Sequence, residues 1–193
     1  METAREKALV GRAQRGDTAA FAELAAAQQR FMYNLALRAL GDPQDAEDAA
    51  QEALVSAWLA LPRFRGEAQF RTWLYRIVTR ACYKRLPTLR RELAALGEDD
   101  DASLGDLANL ADEGMGPAAQ VEDGERRAYL HRQIAALPAA SRMLITLFYG
   151  QGLSCEEIGA VLEMSVPAVK TGLCRARRRL RETLLAYEGG VRG

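Results

Sequence analysis

The sequence predicts an all-α fold: two small helical domains, an N-terminal helical bundle and a C-terminal helix-turn-helix bundle, joined by a flexible acidic linker. Three observations predict it. Apolar residues recur at steps of three and four through almost every segment, with glycine and proline between the periodic stretches. No window alternates apolar and polar residues for long enough to suggest a sheet. Near the middle the composition changes: from Leu96 to Glu125 there are ten acidic residues and no basic one, as in an extended linker. With 193 residues and 49% hydrophobic content, the chain can bury a real core in one ordinary domain or two small ones. The expected division is an N-terminal domain over 1–86, a linker over 87–124, a C-terminal domain over 125–187 and a tail over 188–193.

Asp17 caps a first helix that reaches Leu40, with Phe21, Leu24, Phe31 and Leu35 as its apolar stripe. Gly41 and Asp42-Pro43 end it. A second helix from about Gln44 to Leu61 is expected to bury Ala46, Ala50, Leu54, Trp58 and Leu61. That leaves Asp45, Asp48 and Glu52 on another face. A third, from about Ala68 to Leu86, is expected to bury Phe70, Trp73, Leu74, Ile77 and Ala81. After Pro87 a helical fragment around Arg90–Leu96 leads into the acidic stretch.

In the C-terminal part, Leu130, Ile134 and Leu137 form one stripe, and Met143, Leu144, Leu147 and Phe148 the next. Ser154 and Glu157 make a capping box that opens a short helix carrying Ile158, Val161 and Leu162. Ser165 caps the last helix, with Pro167 in its first turn and Val169, Leu173, Ala176, Leu180 and Leu184 inward. Glu163 occupies a turn position where glycine is common, and a left-handed backbone there costs roughly 1 kcal/mol.

The formal net charge is zero, but the charges are segregated. From Arg63 to Ala95 nine basic residues face two acidic ones, and from Lys170 to Arg181 there are six basic residues and no acidic one. Two separate basic blocks point to nucleic acid. Two short helices joined by a tight turn, the second one basic, form the helix-turn-helix pattern that places a helix in a major groove. Its groove-facing candidates are Lys170, Thr171, Arg175 and Arg178, with Arg177, Arg179 and Arg181 placed for phosphates. The first block interleaves aromatic and basic residues, as single-stranded bases require for stacking and phosphate neutralisation. Here the candidates are Phe64, Arg65, Tyr75, Arg76, Arg80, Tyr83 and Lys84, with Arg76, Arg80 and Lys84 stepping by four along one ridge.

The acidic ridge of Asp45, Asp48 and Glu52, with Glu47 and Gln51 beside it, reads as a solvated face or a docking surface for a basic partner. Three dispersed cysteines and one histidine have no zinc-ligand spacing, and no phosphate-cradling loop or Ser/His/Asp set is present. The expectation is a non-enzyme without metal or cofactor. No apolar run approaches the ~20 residues of a membrane span, and the charged start does not read as a secretory signal. A cytoplasmic protein is expected.

Taken in order, GDPQDAEDAAQEALVSAW, FRGEAQFRTWLYRIVTRACYKR and LPAASRMLITLFYGQGLSCEEIGAVLEMSVPAVKTGLCRARRRLRETL resemble the extracytoplasmic-function class of bacterial RNA polymerase sigma factors, in the sigma-70 family. The resemblance covers about residues 5–86 and 125–185. It implies that Asp45, Asp48, Gln51 and Glu52 dock on the clamp helices of core RNA polymerase. It implies that the aromatic-basic block melts and holds the minus-ten element, with Phe64 and Arg65 near a flipped base, while the helix-turn-helix reads the minus-thirty-five element of promoter DNA. The acidic linker would thread near the RNA exit path, and an anti-sigma factor is a further partner the class admits. Arg80 stands where an asparagine is frequent and Lys84 where an aspartate is frequent, so backbone binding gains charge there. No extra C-terminal regulatory domain is expected. The alternatives are a stand-alone dimeric helix-turn-helix regulator with a palindromic operator, and a nucleic-acid-modifying enzyme using the acidic ridge.

Overall fold

A computed structural model describes residues 2–96 and 124–191; the acidic stretch expected to be the linker lies largely outside them, over 97–123. Among the described residues every regular element is helical, and no helix is long and apolar enough to cross a membrane. The helices fall into two compact units, the first reaching Arg90 and also taking in Ala160–Glu163, the second holding the rest. Arg90 is a few residues beyond the expected boundary at Leu86, because Pro87–Ala95 forms a helix whose Leu89 is buried.

The first unit opens with a helix that was not foreseen. Helix α1 (Glu2–Gln14) buries Leu9, Val10 and Ala13 and packs on α2 (Thr18–Leu40). Asp17 caps α2 as expected, accepting from the Ala20 N–H at 3.0 Å. Gly41 ends it at φ 82, where its N–H donates to the Leu37 carbonyl at 2.9 Å. Asp42 then caps the next helix, accepting from the N–H groups of Gln44 and Asp45, with Pro43 in the first turn.

Helix α3 (Pro43–Ala60) turns an alanine face inward: Ala46, Ala49, Ala50, Ala53 and Ala57 are all buried. Leu54 and Trp58, expected in the core, are only half-buried, since residues this small let α2 and α4 close on α3 without them. Trp58 instead lies against Phe21, ring centroids 5.1 Å apart. A short 3-10 turn (Leu61–Arg63) leads toward α4 (Phe70–Arg85). The core face of α4 is Phe70, Leu74, Tyr75, Val78, Ala81 and Cys82; Trp73 and Ile77 are half-buried. Burial pushes the Cys82 thiol up to about 12, so it behaves as an apolar core group. Helix α5 (Pro87–Ala95) follows.

In the second unit, α6 (Gly124–Ala136) is followed by α7 (Ala139–Ile145), which continues in a wider helical turn over Thr146–Gly150. Met143, Leu144, Ile145 and Leu147 form the core there. The capping box holds as expected: the Glu157 N–H donates to Ser154 Oγ at 3.2 Å, and the Ser154 N–H to Glu157 Oε2 at 2.9 Å. It opens α8 (Cys155–Leu162), with Ile158, Val161 and Leu162 buried. Glu163 takes the left-handed conformation at φ 60, and the Met164 N–H donates back to the Gly159 carbonyl at 2.9 Å. Ser165 Oγ accepts from the Ala168 N–H at 3.3 Å and starts α9 (Val166–Val191). Helices α8 and α9 with their three-residue turn are the expected helix-turn-helix.

The turn leaves no room at Gly159, which is buried: an added Cβ would stand 2.8 Å from the Met164 carbonyl oxygen, a backbone atom that cannot rotate away. Gly159→Ala should therefore destabilise the chain by about 1–3 kcal/mol despite alanine's better helix propensity. Gly11→Ala in α1 should do the reverse, gaining about 0.4–1 kcal/mol, because its Cβ would meet only Arg15 Nη1 at 3.7 Å. Urea unfolding of both variants, followed by circular dichroism, measures the opposite signs.

Candidate nucleic-acid interface

Helix α9 presents a cationic ridge. Lys170 and Arg178 are exposed, Arg175 is half-buried, and Lys170, Cys174, Arg178 and Arg181 follow one another at steps of four, four and three. Thr171, expected to face the groove, is 8% exposed and lies on the packed side. The reason is the width of the buried arc: besides Val169, Leu173, Ala176 and Leu180 it takes in Ala168 and Gly172. A Cβ at Gly172 would stand 2.5 Å from Leu144 Cδ1, so α9 seats deeply and carries Thr171 inward. Arg177, expected at a phosphate, is engaged within the unit. Its Nε donates to the Tyr149 hydroxyl, and its guanidinium lies 5.3 Å and 5.8 Å from the ring centres of Tyr149 and Phe148. Such cation–π contacts are worth about 0.5–1 kcal/mol and fix the arginine's direction.

In the first unit the loop before α4 is held from behind. The Gln14 amide donates to the Leu61 carbonyl at 3.2 Å and to the Phe64 carbonyl at 2.7 Å, tying α1 to the segment that carries Phe64 and Arg65. The Phe64 ring is 5.0 Å from Trp73 and 6.1 Å from Phe70. Half-buried Trp73, expected in the core, therefore belongs to a partly exposed aromatic pair with Phe64. Arg65 and Glu67 approach only to 3.9 Å in open solvent, a pairing of little energetic weight. Along α4, Arg76 is half-buried and its Nε donates to the Ala160 carbonyl at 2.9 Å, while Arg80 and Lys84 are exposed and Arg80 Nη2 donates to Glu163 Oε1 at 2.6 Å. Tyr83 is half-buried.

Tyr75 was expected among the base-stacking aromatics, and the structure places it elsewhere. It is 1% exposed, its ring centre is 4.3 Å from that of Phe31, and its hydroxyl donates to Gln28 Oε1 at 3.1 Å. Burial pushes the phenol up to about 12, so it stays protonated. Position 75 belongs to the stripe of Leu74, Val78 and Cys82 that faces α2 and α3, and that side of α4 has no access to solvent.

The acidic ridge divides. Asp45, Asp48 and Gln51 are exposed, and Gln51 donates to Glu47 at 3.3 Å. Glu52 instead turns onto α4, where its two carboxylate oxygens accept from Lys84 Nζ at 2.6 Å and from Arg85 Nη1 at 2.7 Å. These two cations hold the Glu52 carboxyl below the usual carboxylate range. Beside Asp48, α3 also exposes Val55 and Leu59, at 62% and 72%. The three side chains share one helix face at steps of seven and four. This apolar pair was missed, although its spacing from Asp48 was readable. Among the described residues no group of three His, Cys, Asp or Glu could hold a metal ion.

Comparison with known proteins assigns each unit. Residues 24–92 match Sigma-70 region 2, and residues 127–180 match Sigma-70 region 4. The chain is 36% identical to the RNA polymerase sigma-H factor of Pseudomonas aeruginosa, over 93% of each chain. It is 32% identical to the ECF RNA polymerase sigma factor SigW of Bacillus subtilis, over 92% of this chain and 96% of that one. The chain belongs to the extracytoplasmic-function sigma factors of the sigma-70 family. Among solved structures it is similar to CnrH, captured in complex with the cytosolic domain of CnrY, at a TM-score of 0.63 and 26% identity, covering 94% of this chain and 98% of that one. Region 2 of this sigma factor therefore begins within α2 and ends in α5, with α1 outside it, and region 4 runs from α6 into α9.

The burial of Tyr75 generates a test. Tyr75→Phe loses the bond to Gln28, which should cost about 1 kcal/mol of stability and leave strand opening intact. Tyr75→Ala should cost about 3–5 kcal/mol as a core truncation. Urea unfolding together with permanganate footprinting of promoter opening distinguishes this from a stacking role, which would impair opening in the stable Tyr75→Phe variant.

Proposed function

We propose that this sigma factor docks on core RNA polymerase through α3, opens the minus-ten element with α4 and its preceding loop, and reads the minus-thirty-five element with α9. The observation that carries the reading is a cationic ridge in each sigma region: half-buried Arg76 with exposed Arg80 and Lys84 on α4, the last two ion-paired with Glu163 and Glu52, and exposed Lys170 and Arg178 on α9. A straight helical ridge fits the major groove of duplex DNA. A ridge beside the partly exposed Phe64–Trp73 pair suits single-stranded bases.

Magnitudes support this division. Opening duplex DNA costs about 1.4 kcal/mol per base step, and stacking returns about 1–3 kcal/mol per captured base. Capturing one or two bases on the Phe64–Trp73 surface thus offsets a short opening, provided phosphate contacts along α4 hold the strand. Arg65 is at hand for the captured nucleotide. On α9, Arg175 and Arg178 would contact base edges, with Lys170 on the backbone. Such contacts need no catalysis and no cofactor, and a protein making them would act in the cytoplasm with the polymerase.

For docking, α3 offers Asp45, Asp48 and Gln51 with the exposed pair Val55 and Leu59, an acidic patch with an apolar continuation that fits a basic, partly apolar helix. CnrH, a solved neighbour, was captured with a second protein, and an anti-sigma factor acting on this chain is in keeping with that.

Reconstitution with purified core polymerase on a promoter library tests the whole. Leu59→Asp or Asp48→Arg should weaken core binding. Arg178→Ala should lose about 1–3 kcal/mol of discrimination at one upstream base pair. Phe64→Ala and Arg76→Ala should fail at opening and recover at least partly on a pre-melted bubble. A chain that dimerises on a palindromic duplex without polymerase would overturn the proposal in favour of a stand-alone regulator.

A further inference from the structure

Glu52 sits where two functions of the first unit meet. It belongs to α3, one turn beyond exposed Asp48, yet its carboxylate is spent inside the unit: one oxygen on Lys84, the other on Arg85. Lys84 is the last cation of the α4 ridge and its side chain is 70% exposed, so it stands in open solvent with its charge already matched. The Arg85 side chain is only 24% exposed and Glu52 33%, which makes the second pair the less screened anchor. Glu47, five positions earlier on the same helix, is exposed and among the described residues accepts only from Gln51 in the same helix. Two acidic residues of α3 thus differ in one respect: Glu52 touches α4 and Glu47 does not.

We propose that Glu52 is an internal counter-ion that masks Lys84 and Arg85 from nucleic-acid phosphates in the free sigma factor. The inference rests on the reading of α4 as a nucleic-acid face. Its chemistry is competition: a phosphate approaching Lys84 must displace a carboxylate oxygen that is already at hydrogen-bond distance. Arg80 is matched in the same way, its guanidinium 2.6 Å from a Glu163 carboxylate oxygen, so masking Lys84 as well leaves the ridge little unpaired charge and limits how far the free chain grips DNA. Removing the carboxylate returns one or two cations to the surface.

The test measures binding of the full chain to fluorescein-labelled oligothymidylate by anisotropy, across a salt series. Each phosphate neutralised on a single strand contributes ~0.7 to the slope of log affinity against log salt. Glu52→Gln should steepen that slope by about 0.7–1.4 and raise affinity at low salt by about threefold to tenfold. Glu47→Gln, with the same change in net charge, should leave the slope at the wild-type value. Adding Lys84→Gln to Glu52→Gln should remove most of the gain. Glu52→Asp keeps the charge but is too short to hold both cations; it should steepen the slope by a smaller amount, and it serves if Glu52→Gln fails to fold. Glu52→Gln indistinguishable from Glu47→Gln, or Glu52→Asp indistinguishable from wild type, overturns the proposal. Arg76→Ala separates the two levels: if it weakens binding while the Glu52 variants do nothing, only the mask falls. If Arg76→Ala also has no effect, α4 is not the nucleic-acid face.

Discussion

Five alanines on one side of α3 set the geometry of the first unit. Ala46, Ala49, Ala50, Ala53 and Ala57 remove side-chain bulk where α3 meets its neighbours, so α2 and α4 pack closely against it. Close packing puts Met32, Leu35, Leu74 and Tyr75 at 1% exposure or less and gives a small bundle a dry core. The same alanines decide what α3 shows outside. With the inward arc filled by small residues, Val55 and Leu59 have no place in the core and stand in solvent beside Asp48. Glu52, at the border between the two arcs, is close enough to α4 to reach Lys84 and Arg85.

The helix-turn-helix solves a different problem: it must turn the chain within three residues and still present α9 rigidly. A left-handed Glu163 costs roughly 1 kcal/mol relative to glycine. The Ser154 and Ser165 caps each contribute about 1 kcal/mol, more than offsetting it. The Met164 N–H bond to the Gly159 carbonyl closes the turn, and Gly172 lets α9 approach Leu144. Tyr149 and Phe148 then hold Arg177, so one arginine of the basic block braces the helix while its neighbours face outward.

Local chemistry was legible where it is decided locally. The Asp17 cap, the stop at Gly41 and the Ser154–Glu157 box depend on residues at most a few positions apart, and each is found as expected. Helix α1 was not read because its buried stripe is only Leu9, Val10 and Ala13 in a charged segment. Tyr75 was misplaced because α4 carries large residues on nearly every side. Trp73 with Ile77 and Tyr75 with Val78 are both plausible stripes, and the choice falls to Phe31 and Gln28, more than forty positions away. Thr171 went the same way once Gly172 let α9 sink against Leu144. Glu52 was read as outward from its spacing alone, since nothing in α3 announces a partner on α4.

These misplacements matter for how a chain of zero net charge can bind a polyanion. At physiological ionic strength the Debye length is about 8 Å, so a phosphate senses the charges near it rather than the sum over the chain. A ridge eight residue steps long, Arg76 to Lys84, extends ~12 Å along its helix, and one of eleven steps, Lys170 to Arg181, ~16 Å. Each is long enough to act as its own electrostatic site. An acidic residue subtracts from such a site only from within the screening length. Glu52, 2.6 Å from Lys84, meets that condition, and the choice of its rotamer weighs more on the α4 ridge than the formal charge of the whole protein.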